Sequence, residues 1–93
     1  MILVKLHESK VSELLTLCDE NLIGKKMNNL TISEEFYKGT QHSEKDLLKL
    51  VKENYSINAI GKESIEFLLQ HNIMEKENIV IIDGIPHTQV FSL

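Results

Sequence analysis

The chain contains no arginine and no tryptophan, and only one cysteine, one proline and four glycines in 93 residues. Each scarcity excludes something. Without arginine, all ten basic side chains are lysines, so there is no planar fork for bidentate contacts to phosphate or guanine. The lone thiol, Cys18, can neither close an internal disulfide nor furnish a four-thiolate zinc site, which fits a reducing compartment. Aromatics are 5% of the residues and do not interleave with basic ones, so no base-stacking platform of the RRM type is visible. The longest aliphatic run, Ile79 to Ile82, is far short of a membrane span. The opening MILVKLHESK lacks the basic lead and small-residue cleavage site of a signal peptide. These absences predict a cytoplasmic protein with no membrane partner.

What is present is ordinary for a globular domain. Hydrophobic residues are 42% and charged residues 26%, which argues against disorder, and the length suits a single domain over 1–93. Fourteen acids against ten lysines leave a net charge of −4, so counterion release over a broad basic face cannot drive binding to bulk nucleic acid. Any RNA contact would be local or shared with a partner.

Ile2, Val4 and Leu6 alternate with Leu3, Lys5 and His7, the period of a half-buried strand. Polar Glu8 to Lys10 can turn the chain into a second strand, Val11 to Cys18, although Leu14 breaks its alternation and leaves helix as a competitor. Asp19 can cap a short turn through Ile23 that Gly24 ends. Asn28-Asn29 then reads as a turn before a brief strand, Leu30 to Ile32. Glu34-Glu35 opens a short helical turn that carries Phe36 and Tyr37 inward and stops at Gly39. Ser43 with Asp46 forms a capping-box-like start, followed by Leu47, Leu50, Val51 and Asn54 at helical spacing, with Leu48 and Tyr55 widening the stripe.

Ile57 to Gly61 reads as a loop, and Lys62 to Gln70 as a second helix whose left-handed cap is Asn72. Ile79 to Ile82, a β-branched run, is expected to be a central strand buried on both faces. Asp83-Gly84 signals a two-residue turn, and Pro86 assigns the return from Ile85 to an edge or an irregular arm. The predicted fold is therefore α+β: a small mixed or antiparallel sheet, built from an N-terminal hairpin, a short third strand and a central C-terminal strand, with two helices on one face.

Few residues advertise chemistry. Gly61-Lys62-Glu63-Ser64 opens a helix, where free N–H groups, a lysine and a hydroxyl could meet a phosphate or carboxylate, although Glu63 already answers the dipole. Cys18 follows a strand near a predicted helix start, and a thiol so placed can act as a nucleophile if a base such as His87 reaches it. His7, His42, His71 and His87 are scattered, with no HxH, HExxH or CxxC spacing, so neither a metal nor a cofactor is expected.

Four segments, Cys18 to Lys25, Glu35 to Gly39, Asn58 to Ser64 and Asp83 to Gln89, together resemble the archaeal family known as domain of unknown function 424. The resemblance spans nearly the whole chain and implies a small cytoplasmic archaeal protein that keeps company with translation factors. It brings no reaction, substrate or cofactor. Lys38 stands where the family tends toward a second glycine, and Asn28-Asn29 shortens an acidic-glycine turn. The family-like residues that are hard to justify as core are Asp19, Glu20, Lys25, Tyr37, Asn58, Glu63, Asp83, His87 and Gln89.

With Gly61, Lys62 and Ser64, these residues are expected to form one contact surface of a non-enzymatic binding or adaptor module in an RNA–protein assembly of the translation apparatus. The competing expectation is a small hydrolase or transferase using Cys18 with His87. A third is a homodimer sealed through an exposed sheet edge.

Overall fold

The computed structural model describes residues 1–53 and 56–91. Five strands form one mixed sheet: β1 (Ile2–Glu8), β2 (Glu13–Asp19), β3 (Ser56–Ile60), β4 (Val80–Ile82) and β5 (Ile85–Val90), in the order β1-β2-β3-β5-β4. The helices are α1 (Glu34–Tyr37), α2 (Glu44–Val51) and α3 (Lys62–Gln70). The α+β class and the mixed sheet agree with the sequence. Asn54 and Tyr55, assigned by the sequence to the α2 stripe, lie outside the described residues.

The hairpin pairs Ile2 with Asp19 and Glu8 with Glu13, which settles the ambiguity at Leu14 in favour of strand. Alternation then sorts the side chains. Val4, Leu15, Leu17, Ile57 and Ala59 point to one face, where Leu47, Val51, Ile65 and Leu68 of α2 and α3 close the larger core. Both helices begin on the predicted signals, and α3 also ends on its own, whereas α2 ends at Val51. Ser43 Oγ accepts the Asp46 N–H at 3.1 Å, and Asn72 leaves α3 with a φ of 58°.

The second face is covered over β1, β2 and β3 by the segment from Glu20 to Thr40. Cys18, Leu22, Ile32, Tyr37 and Ile60 make a smaller core beneath it. The last turn of α1 holds this arm down: the Phe36 carbonyl accepts from His7 Nε2 at 2.9 Å and from Thr16 Oγ1 at 3.3 Å, and Lys5 Nζ bonds the Glu35 carbonyl. The phenyl ring of Phe36 stacks on His7.

Three expectations are corrected. Leu30 to Ile32 is not a sheet strand: Thr31 only bridges Lys26 across the Asn28-Asn29 turn. The third strand is instead β3, whose central Asn58 and small Ala59 disguised a segment with four buried residues out of five. The aliphatic run is not central either. β4 is the outer strand, with Val80 56% and Ile81 62% exposed, and β5 takes the interior place between it and β3.

Pro86 is tolerated inside the sheet because its position faces the end of the β3 ladder. The Pro86 carbonyl accepts the Gly61 N–H at 2.9 Å, while the Gly61 carbonyl already takes the Ile65 N–H at 3.0 Å. Proline brings no N–H to this pair, and the Gly61 carbonyl keeps a partner without one. The Asp83-Gly84 turn is as predicted, with positive φ at both residues (51° and 79°), the type I′ geometry that matches strand twist.

Candidate functional site

Strand pairing assembles a polar group on the second face. Asn58 pairs directly with Gln89, Ile60 pairs with His87, and the period of two places Asn58, His87 and Gln89 on the same side. The anchored α1 brings in Tyr37 from above. Its hydroxyl donates to Asn58 Oδ1 at 2.9 Å, and His87 Nε2 lies 3.2 Å from the same oxygen. With that carboxamide oxygen as the common acceptor, His87 carries its proton on Nε2, and Nδ1 is left as an acceptor.

Asn58 is only 7% exposed, so its amide is held rigidly from two sides, whereas the neighbouring Gln89 and Val80 are open to solvent. The arm reaches β3 and the start of β5, where Ile60 and Ile85 join the smaller core, and leaves Gln89 and Val80 beyond its edge. The exposed strip over β5 and β4 therefore offers uncharged hydrogen-bonding groups beside aliphatic side chains.

Burial lowers the pKa of His87, because desolvation penalises the imidazolium. The unfolded chain consequently takes up its proton first as pH drops below about 6.5. The stability contributed by neutral His87 is complete above that pH and declines as pH falls toward the lower folded value. Urea denaturation from about pH 7.5 to about pH 5.5 is expected to show a loss of stability in the wild type that His87→Gln lacks. Parallel profiles would contradict this.

Cys18 does not join the group. It lies two strands from His87, about 10 Å across the sheet, with Ile60 between them. The thiol is fully buried and donates to the Asp19 carbonyl at 3.4 Å. Burial, aided by the negative charge of Asp19, pushes it up to about 12, so the reactive thiolate is scarce at neutral pH. Burial likewise raises Tyr37 to about 12, with Cys18 adding to the effect, and the phenol remains a hydrogen-bond donor.

The remaining predicted residues divide into separate places. Asp19, Gly61 and Ser64 form a structural cap on α3. Asp19 Oδ2 accepts the Glu63 N–H at 2.9 Å, and Oδ1 accepts the Ser64 N–H at 2.8 Å and the Ser64 hydroxyl at 2.7 Å. The helix N-terminus that the sequence offered to a phosphate is thus filled by the protein's own carboxylate. Lys62 beside it is exposed, as are Lys25 and Glu20 in the arm. Asp83 ties the β4–β5 turn to the arm by accepting from the Asn29 backbone N–H at 2.9 Å and from its amide at 3.3 Å.

Of the residues singled out in the sequence, Tyr37, Asn58, His87 and Gln89 lie together, and Val80, the exposed residue opposite His87, was not among them. The Asp83-Gly84 turn was the available signal, because a two-residue turn sets Val80 opposite His87. Among the described residues, no group of three or more His, Cys, Asp or Glu side chains is placed to hold a metal ion, and no helix is long and apolar enough to cross a membrane.

Fold and site together define an α+β protein with a mixed sheet covered on its second face over β1 to β3 and a neutral polar group at the edge of that cover. The chain belongs to the family described as protein of unknown function (DUF424), whose pattern it matches over residues 7–93. It is also similar to the crystal structure of an uncharacterized conserved protein from Methanopyrus kandleri. That match has a TM-score of 0.82 and 28% identity, over 99% of this chain and 91% of the other. No curated protein matches.

Proposed function

We propose that the protein is a non-enzymatic binding module that takes a polypeptide partner on the exposed strip of sheet over β5 and β4, in a cytoplasmic setting. The observation that carries this reading is the buried Asn58 amide, bonded by Tyr37 and His87, with exposed Gln89 opposite Asn58 and exposed Val80 opposite His87. A rigid polar anchor among aliphatic side chains is the composition of a protein interface rather than of a phosphate site. The net charge of −4 and the absence of arginine favour protein over nucleic acid as the direct contact. The buried thiol and its separation from His87 speak against the hydrolase or transferase alternative.

The RNA–protein assembly of the translation apparatus implied by the family resemblance enters as the source of the partner. Immobilised wild-type protein and Val80→Asp are compared for capture from archaeal lysate, with and without nuclease. A translation component retained after nuclease by the wild type, and reduced about tenfold or more by Val80→Asp, is the expected result. Recovery of no such component in either condition, or equal capture by both proteins, would sink the reading. The open β4 strand also suits a second copy of the chain, and sedimentation over a range of concentrations separates that homodimer from a foreign partner.

A further inference from the structure

β4 is half the length of the strand beside it, three residues against six, and this leaves part of one flank of β5 without a neighbour. The pairing stops at Val80 opposite His87, because the chain ahead of Val80 turns aside through Lys76–Asn78. The phase of the ladders fixes which backbone groups are left open. The Gly61 N–H bonds the Pro86 carbonyl, so Pro86, Thr88 and Val90 turn their backbone groups to β3, while Ile85, His87 and Gln89 turn theirs to the β4 side. Ile82 and Val80 stand opposite Ile85 and His87, but Gln89 has no strand opposite it there. Asn78, next in line, gives its N–H to the Glu75 carbonyl at 3.0 Å, and its carbonyl accepts from the Thr88 hydroxyl at 3.0 Å. Among the described residues, no backbone bond reaches Gln89 from this flank.

A cleft of about 400 Å³ lies at the same place, lined by Ile73, Met74, Asn78, Gln89, Val90 and Phe91. Its two sides differ. Val90, Ile73 and Met74 belong to the core on the helix face, whereas Gln89 and Phe91 are exposed, Phe91 at 73%. A residue that offers both a free N–H and a free carbonyl along a strand is matched by the same pair of groups on another extended backbone. Alternate side chains of such a segment point to opposite faces, one set over Val90 and Ile73 and the other beside Phe91. A ligand lying flat on one face would leave the open backbone groups unanswered.

We infer that an extended segment of a protein partner adds to β5 at Gln89 as a strand in line with β4, placing an aliphatic side chain in the cleft against Ile73, Met74 and Val90. This rests on the reading of the β5 and β4 strip as a polypeptide-binding surface. It specifies the form of the partner: a main chain in β conformation with apolar residues at alternate positions.

The test uses the full chain with an acetylated, amidated peptide of alternating valine and threonine that carries a lysine at each end, followed by backbone amide NMR. The peptide is expected to shift the amides of Gln89 to Phe91 and Ile73 to Glu75, and to slow exchange of the Gln89 N–H about tenfold or more. That measurement needs no variant. Gln89→Pro removes this donor and none that β3 uses, and should weaken the peptide about tenfold or more. Gln89→Ala keeps the N–H and should give a smaller loss. Unchanged exchange at Gln89 with peptide bound, equal losses in the two variants, or no shift along β5 would each overturn the inference. Protection of Gln89 that rises with protein concentration alone would overturn it too, by assigning the flank to a second copy. None of these outcomes bears on lysate capture by Val80→Asp, which decides the surface itself.

Discussion

Gly61→Ala is expected to lower the free energy of unfolding by about 3 kcal/mol or more, a large fraction of the stability of a domain this size. Two independent costs meet at this residue. Its φ of 111° lies in a region that L side chains avoid, and an added Cβ would stand 2.3 Å from the carboxyl carbon of Asp19. The methyl group would expel the buried carboxylate from Glu63 N–H, Ser64 N–H and Ser64 Oγ–H, leaving the first turn of α3 without its acceptor.

Urea denaturation measures the loss, and a double-mutant cycle assigns it. In an Asp19→Ala background the collision is gone, so Gly61→Ala should then cost only the backbone strain, about 1–3 kcal/mol. A full penalty in both backgrounds would place the effect elsewhere.

Gly39→Ala is the second large effect, and it arises without any unusual φ. A Cβ there would lie 1.9 Å from the Val4 carbonyl oxygen and 2.5 Å from its carbon, so backbone must move. The segment it serves is bonded to β1 in both directions, Val4 N–H to the Thr40 carbonyl at 2.8 Å and Thr40 N–H to the Val4 carbonyl at 2.9 Å. Pushing the chains apart breaks this bridge and loosens the arm that carries Tyr37. The expected cost is about 2–4 kcal/mol, with amide exchange protection lost first at Val4 and Thr40 while α3 stays protected. Uniform loss of protection would show instead that the arm and the main core unfold together.

Local signals in the chain predicted local structure well. Ser43 with Asp46, the apolar stripe of α2, the bounds of α3, the left-handed Asn72 and the Asp83-Gly84 turn each depend on residues a few positions apart. What stayed hidden depends on distance. β3 is short and carries Asn58 at its centre, so only its place between β2 and β5 makes it a strand.

The outer position of Val80 to Ile82 inverted the usual rule that β-branched runs are buried, and Pro86 suggested an edge that the helix-bound Gly61 carbonyl made unnecessary. The site divided along the same line. Tyr37, Asn58, His87 and Gln89 were recognisable as polar residues out of place in a core, and strand register gathered them. Asp19 belonged to the same set by sequence, yet it caps a helix that begins more than forty residues later, a partnership no local pattern encodes.

The bond between Thr40 and Val4 also decides how this molecule can associate. Continuous head-to-tail growth of a sheet from one molecule to the next requires two free rims, and the β1 rim is already occupied at its middle by the protein's own chain. Strand addition at β4 is therefore a terminating step. One visitor, or one symmetric twin, exhausts the valence of the sheet, which separates an exposed aliphatic rim from the hazard of filament formation.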